Sequence, residues 1–246
     1  MNQVLEKADQ YNTTKFHGKL VVNKPVMHDI NSEVDPYSNL YYWSHSLAFD
    51  DCEFELHPHK GFEIITFIFE GQVTHFDTAS NVWTPLHKDD FQIIQTGSGI
   101  QHAEKISNGT RSFQIWFDPN FNEAIKNKPA YKYYHGSDFE AIQENDIEII
   151  DYVGGKSDVK LATDGVFIKK IKAQDISNYD FDLDPDSQYA FYVLSGNMIV
   201  NGLPVLENDV VKVSRETNAD ITFNGAGEIF IIQIPLKLAY KVIWEL

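Results

Sequence analysis

One pattern occurs twice in this chain: a strand ends at a glycine turn, a second strand and a polar loop follow, and an aspartate leads into a third strand. Residues 67–73 resemble residues 192–198, and residues 88–94 resemble residues 207–213. Internal repetition of a supersecondary unit is typical of a duplicated architecture. The repeat therefore predicts two similar β-barrels in tandem.

Strand patterns dominate the sequence. Short runs rich in β-branched and aromatic residues, separated by turn residues, occupy 63–69, 72–76, 91–95 and 112–117. Strands of this length and spacing are typical of an all-β sandwich or barrel. We therefore expect an all-β protein in which each copy of the repeat closes its own barrel.

Helix is scarce, and the boundary between the two barrels falls in a polar stretch. Residues 138–143 predict one helical turn, while residues 236–246 fit a helix or a strand. Domain boundaries favour polar, irregular segments. We place an N-terminal barrel at residues 1–135 and a C-terminal barrel at residues 136–246.

Composition excludes several classes of protein. The 246 residues carry a net charge of −16, which repels nucleic acid and anionic membrane surfaces. A single cysteine, Cys52, excludes an internal disulfide framework and a multi-thiolate zinc site. No apolar run approaches the roughly 20 residues of a membrane helix, and the opening residues do not resemble a signal peptide. We expect a cytoplasmic protein that binds small molecules or proteins.

Two short histidine motifs are the best candidates for chemistry. His57 and His59 are separated by one residue, as are His102 and Glu104. On a strand, residues i and i+2 point to the same face, so each pair can converge on one point. Three imidazoles and a carboxylate suit one divalent transition metal, such as iron, nickel, copper or manganese, and zinc is compatible as well. Four protein ligands leave an octahedral ion two positions for water, dioxygen or substrate.

The complete pattern around these histidines resembles the two motifs of the cupins, and in detail those of the pirin family. It comprises His-Pro-His and Gly-Phe-Glu in 57–63, Glu-Gly at 70–71, and Gly-x-Gly-Ile-x-His-x-Glu in 97–104. The resemblance implies a bicupin, two barrels packed face to face, with an iron-type metal in the N-terminal barrel. In the wider cupins the glutamate of the first motif is a ligand, but the pirin pattern assigns Glu63 a structural place and uses Glu104. The implied ligands are His57, His59, His102 and Glu104.

The second copy of the repeat lacks these ligands. Aligning the copies places Asp182 and Asp184 opposite the first two histidines, and Ile221 and Phe223 opposite His102 and Glu104. With no imidazole in the set, we expect the C-terminal barrel to be structural and without metal. The aspartates at 182, 184 and 186 resemble the start of a calcium loop, but the glycine and glutamate that such a loop needs are missing, which favours a solvated turn.

Two functions from different classes follow from the resemblance. The first is a quercetin 2,3-dioxygenase: a flavonol or similar aromatic enol binds the metal, Glu104 accepts its proton as ligand and base, and dioxygen cleaves the ring with release of carbon monoxide. The second is a non-catalytic, redox-sensitive iron module that binds a protein partner. Neither role involves nucleic acid or a membrane.

Four other residues receive structural interpretations. We expect His75 and His87, which flank hairpin loops, to lie at the surface. We expect His45 to have a packing role and Cys52 to be a small buried side chain rather than a nucleophile.

Overall fold

The computed structural model describes residues 2–246, which are 55% strand and 5% helix. Helix is limited to one α-helical turn, α1 (Phe121–Ala124), and two 3-10 turns at Gly136–Asp138 and Ile243–Glu245. No helix among these residues is long and apolar enough to cross a membrane. The strands, in chain order, are β1 (Asn2–Leu5), β2 (Tyr11–Lys15), β3 (Leu20–Val26), β4 (Leu40–Ala48), β5 (Cys52–His59), β6 (Glu63–Glu70), β7 (Gln72–Asp77), β8 (Trp83–His87), β9 (Phe91–Gln95), β10 (Ile100–Ile106), β11 (Arg111–Phe117), β12 (Ala130–Tyr134), β13 (Ile142–Glu144), β14 (Ile147–Val153), β15 (Phe167–Ala173), β16 (Ser177–Asp182), β17 (Ser187–Ser195), β18 (Met198–Val200), β19 (Leu203–Val205), β20 (Val210–Ser214), β21 (Asn218–Phe223) and β22 (Gly227–Pro235).

The chain forms two compact units, and each unit includes one terminal segment of the chain that is distant in sequence from the rest of that unit. The first unit comprises Gln10–Asp138 and Tyr240–Leu246, and the second comprises the residues up to Asp9 and Phe139–Ala239. Strand β1 therefore belongs to the second unit, where it pairs with β20. The division into residues 1–135 and 136–246 stays a prediction, and the long-range pairing of β1 with β20 leaves no local signal in the sequence.

The first unit consists of two antiparallel sheets. A seven-stranded sheet has the order β12-β9-β6-β11-β4-β3-β2, and a four-stranded sheet has the order β5-β10-β7-β8. Bulky apolar side chains such as Phe91, Phe113 and Phe117 are fully buried in the larger sheet. The smaller sheet brings β5 beside β10, which places the two histidine motifs on neighbouring strands.

The second unit repeats this topology. Its larger sheet has the order β1-β20-β17-β22-β15-β14-β13, and its smaller sheet has the order β16-β21-β18-β19. Each strand from β15 to β22 occupies the place that the strand eleven positions earlier occupies in the first unit. The all-β bicupin fold expected from the sequence is confirmed.

The turn shared by both repeats requires glycine. Gly71 joins β6 to β7 with φ +75°, and Gly196 joins β17 to β18 with φ +81°, a left-handed conformation that other residues rarely adopt. A Cβ atom at Gly71 would also lie 2.6 Å from Oγ1 of Thr110. The left-handed conformation and the lack of room for a Cβ atom therefore both favour glycine at position 71.

The two segments with helical potential form little helix. Residues 138–143 contain the end of a 3-10 turn and the start of β13, which pairs with β14. Residues 236–246 form neither an α-helix nor a strand, but end in a 3-10 turn whose Ile243 amide donates to Oδ2 of Asp118 at 2.7 Å. Tertiary hydrogen bonds therefore decide the conformation of this segment.

Candidate metal centre

Three imidazoles meet in the first unit. His57 and His59 point to one face of β5, and His102 on β10 lies directly opposite His57 in the antiparallel register. The ring centroids are 4.4 Å apart for His57 and His102, 4.7 Å for His59 and His102, and 4.9 Å for His57 and His59. One nitrogen from each ring lies within 4.8 Å of the other two. This spacing suits three ligands of a single cation.

The nitrogens of this cluster have lone pairs available. The Nδ1 atom of His57 lies 2.7 Å from the carbonyl oxygen of Glu55, to which it donates, so its Nε2 atom carries the lone pair. The Nε2 atom of His59 and both ring nitrogens of His102 are buried without a hydrogen-bond partner. Buried polar atoms without a partner are rare and need an explanation. A bound metal ion accounts for them, and the residues therefore fit the group.

Burial keeps two imidazoles of the cluster neutral. Burial, together with the positive charge that each neighbouring imidazole would carry, lowers the pKa of His59 and of His102 to about 3. At neutral pH these rings are unprotonated, and a neutral imidazole is the form that binds a metal.

Glu104 is buried, and its carboxylate lies near the ring of His102. The pairing of β10 with β5 shifts between His102, which faces His57, and Glu104, which faces Phe54. Bulges of this kind redirect side chains and are common near active sites. A carboxylate oxygen of Glu104 lies within 4.8 Å of nitrogens of His102 and His75, but Glu104 is not part of the group formed by the three motif histidines.

A short hydrogen-bond chain orients the Glu104 carboxylate. The side-chain amide of Gln114 donates to the two carboxylate oxygens at 3.4 and 3.2 Å. The indole nitrogen of Trp116 in turn donates to Oε1 of Gln114 at 3.0 Å. Trp116 also packs against the His59 ring, with centroids 4.7 Å apart. Trp116 thus contacts His59 directly and orients the Glu104 carboxylate through Gln114.

His75 is not a surface residue, so the expectation for it was wrong; it forms a second potential metal-binding group with His102 and Glu104. It is 0% exposed, its Nε2 atom lies 3.3 Å from Oδ2 of Asp77, and its ring stacks on Tyr131 at 4.8 Å. Burial opposes ionisation of Asp77, yet hydrogen bonds from His75, Ser80 and Ala79 lower its pKa to about 2. The strict alternation of β7 was the available signal, since Val73, His75 and Asp77 share its buried face.

Comparison with known proteins identifies the part of the chain that carries this cluster. The family model described as Pirin matches residues 20–117. The chain carries a pirin domain.

Relatives and solved structures extend the likeness beyond that domain. A protein named quercetin 2,3-dioxygenase from Escherichia coli K12 is 25% identical over 185 residues, which cover 74% of this chain and 76% of the relative. Pirin-1 of Arabidopsis thaliana is 31% identical over 163 residues, 63% of this chain and 50% of the relative. The crystal structure of the bacterial pirin YhhW of Escherichia coli in complex with nickel(II) matches with a TM-score of 0.79 and 20% identity over 96% of this chain and 99% of that one. This last match shows the fold.

A cavity of about 290 Å³ in the first unit adjoins the imidazole cluster. It lies between the two sheets of that unit, and aromatic, polar and basic side chains line it together with potential ligands. The lining residues are Lys15, Val22, Lys24, Tyr42, Ser44, Ser46, Phe54, His57, His59, Thr66, Val73, Glu104, Ile106, Ser112, Gln114 and Trp116.

The remaining singled-out residues of the pirin domain have structural environments. Glu63 is buried and accepts a hydrogen bond from Gln95 at 2.9 Å, and it is not in either potential metal-binding group. His45 accepts a hydrogen bond from Arg111 at 2.9 Å and packs edge-on against an aromatic ring, while His87 is exposed. Cys52 is half-buried, and burial raises the pKa of its thiol.

The corresponding interior of the second unit is apolar. Counted from the shared glycine turn, the strand register places Ile221 opposite Val200, as Glu104 lies opposite His75 in the pirin domain. By this register, Ile221 corresponds to Glu104 and Ala219 corresponds to His102. Each of these correspondences differs by two residues from the one obtained by aligning the two copies of the repeat in sequence. All three apolar residues are fully buried. Both potential metal-binding groups among the described residues lie in the first unit.

The aspartates at the start of the second unit's repeat form a turn. Asp182 and Asp184 are exposed. The Asp184 carboxylate accepts hydrogen bonds from the Asp186 amide at 3.0 Å and from the Ser187 hydroxyl at 2.8 Å. These bonds close the turn between β16 and β17.

Proposed function

We propose that this protein is a metal-dependent dioxygenase that opens the ring of an aromatic enol such as the flavonol quercetin. Its metal is a single divalent ion, iron in our proposal, held by His57, His59, His102 and Glu104. The observation that carries the proposal is the convergence of three imidazoles beside a cavity, two of which have buried nitrogens without a hydrogen-bond partner. Two further findings support it: a relative is named quercetin 2,3-dioxygenase, and YhhW binds nickel(II).

The protein's own side chains would accept the proton that the enol loses. The bound metal supplies a Lewis-acidic centre that lowers the pKa of a coordinated hydroxyl group. Glu104 is the base that takes the enol proton on a carboxylate oxygen, since it is the carboxylate beside the imidazoles. Gln114 positions Glu104 through its two hydrogen bonds, and Trp116 positions Gln114.

The cavity walls would hold the aromatic body of the substrate. Trp116, Tyr42 and Phe54 present ring surface to the cavity, and flat rings bind well between such side chains. In the proposed reaction the substrate takes up one dioxygen molecule, its enol ring opens, and one carbon leaves as carbon monoxide.

Metal analysis followed by an activity assay tests the proposal. We expect wild-type protein purified without added metal to contain transition metal, His57→Ala to lose most of it, and the exposed-residue control His87→Ala to keep it. Aerobic incubation of the metal-loaded protein with quercetin should then bleach the flavonol absorbance, and His57→Ala should not.

Unchanged flavonol absorbance, with metal confirmed in place, would reject the enzymatic role. The non-catalytic iron module that binds a protein partner would then be the remaining interpretation.

A further inference from the structure

A buried lysine lines the cavity beside the metal centre. Lys24, on β3, is 6% exposed. Its ammonium group donates to the sulfur of Met27 at 3.3 Å and lies 5.3 Å and 5.2 Å from the ring centroids of Tyr11 and Tyr42. Among the described residues, no carboxylate forms an ion pair with it. Lys24 is thus a buried cation whose contacts in the protein are all uncharged.

This arrangement is unfavourable without an anionic occupant. A charge removed from water is normally paired, because desolvation costs more than cation–π contacts return. Burial indeed lowers the pKa of Lys24, and the charge of exposed Lys15 acts in the same direction. Among the described residues that line the cavity, Glu104 is the only carboxylate, and it lies beside His102 and His75. The lysine end of the cavity therefore has a positive charge and no anion of its own.

A row of aromatic rings connects the lysine to the imidazole cluster. Tyr42, which contacts the Lys24 ammonium, packs against Trp116 with centroids 5.0 Å apart. Trp116 packs against His59 at 4.7 Å. The same cavity thus presents metal ligands, ring surface and an ammonium group in sequence.

We infer that the substrate of this site is an aromatic or conjugated carboxylate, whose carboxylate group pairs with Lys24 while its hydroxyl end reaches the metal centre. The inference rests on the proposed function, in that it takes this cavity as the substrate site. Lys24 is then a specificity-determining residue, since an acceptor that bears a full negative charge replaces its uncharged contacts. Quercetin has no carboxylate, so its turnover is a secondary capacity of the same site.

A matched pair of probes tests the inference without turnover. Binding of 4-hydroxybenzoate and of its uncharged amide, 4-hydroxybenzamide, is measured by calorimetry on zinc-loaded protein. We expect the carboxylate to bind about tenfold tighter or more, the range of a charge-assisted hydrogen bond. In Lys24→Met the two probes should bind within about twofold of each other, and Lys24→Arg should restore the preference.

The control is Lys105→Met, which removes the same net charge from an exposed lysine outside the cavity and should keep the preference. Lys24→Met should also unfold at the same or a higher temperature than wild type, because a methionine fills the space without burying a charge. That result shows that lost discrimination does not come from misfolding.

Two outcomes overturn the inference. One is equal binding of the two probes to the wild type, and the other is a preference that persists in folded Lys24→Met. The test separates this inference from the proposed function: quercetin turnover without carboxylate preference refutes the inference alone, whereas carboxylate preference in a metal-loaded protein that consumes no dioxygen with quercetin or with hydroxylated aromatic carboxylates refutes the dioxygenase proposal alone.

Discussion

Acidification of the metal-free protein measures how strongly the imidazole cluster is held neutral. The pKa of His59 and His102 is about 3 in the folded protein, against about 6.5 for an unfolded histidine. Because the folded-state pKa is depressed, the unfolded chain takes up protons first as the pH falls. Stability is therefore complete above about pH 6.5 and is lost progressively toward pH 3.

The expected loss is a large part of the total stability. Each neutral imidazole removes up to about 1.4 kcal/mol of unfolding free energy per pH unit in this window. Two fully buried imidazoles would remove about 5 kcal/mol between about pH 6.5 and pH 4.5. His59 is half-buried, and solvent screening reduces its share, so we expect a loss of about 3 kcal/mol. Domains are stable by only about 5–15 kcal/mol.

Urea unfolding followed by tryptophan fluorescence is the assay. All four tryptophans, Trp43, Trp83, Trp116 and Trp244, lie in the first unit, so their emission reports the unit that contains the cluster. The control is His102→Gln, which cannot titrate at this position and should lose well under half as much stability over the same range, because the fully buried His102 carries most of the effect.

Other titrating groups do not obscure the comparison. Asp77 has a pKa of about 2 and affects stability only below the window. Burial raises the pKa of Asp118, which acts in the opposite direction but equally in wild type and variant. An unfolding free energy that is constant from about pH 6.5 to 4.5, or that falls identically in His102→Gln, would refute the argument that burial holds these imidazoles neutral.

Three further substitutions test the surroundings of the cluster. Gln114→Leu removes the donor to the buried carboxylate and should lower the rate of quercetin consumption by about tenfold with metal content unchanged, as measured by absorbance and elemental analysis. His75→Leu removes one of the hydrogen-bond donors to the buried Asp77 carboxylate and should reduce the free energy of unfolding by about 2 kcal/mol; a loss below about 0.5 kcal/mol in urea titrations would contradict this. Gly71→Ala and Gly109→Ala both force a left-handed alanine, but only the first adds a steric clash, so we expect a loss of about 1 kcal/mol for Gly109→Ala and clearly more for Gly71→Ala.

Local patterns made most of the fold predictable. The run at 91–95 is strand β9 from end to end, and the run at 63–69 is β6 with one residue added. These runs were recognisable because β-branched and aromatic residues are enriched in strands and glycine and polar turns end them. The repeat of the glycine turn then indicated a duplication, which the common strand order of the two units confirms.

The features that were missed depend on contacts distant in sequence. Nothing next to His75 in the chain shows that β10 will lie beside β7 and bring Glu104 opposite it. Lys24 occurs in a segment with no chemical motif, and its importance comes from burial against Tyr11 and Tyr42. Local sequence indicates where a strand runs, but pairing decides which side chains meet on a face.

The two units of this protein show why the same strand order does not fix the same chemistry. Register places Glu104 opposite His75 in the first unit and Ile221 opposite Val200 in the second. In the second unit these positions join a continuous apolar core that includes Phe181, and burial of that surface stabilises the barrel directly. In the first unit the same positions hold polar groups whose burial is unfavourable unless a ligand satisfies them. The first barrel therefore has a less stable core at the places where we propose a metal centre and a substrate cavity, which is the distribution expected when one copy of a duplicated fold carries the function and the other only has to be stable.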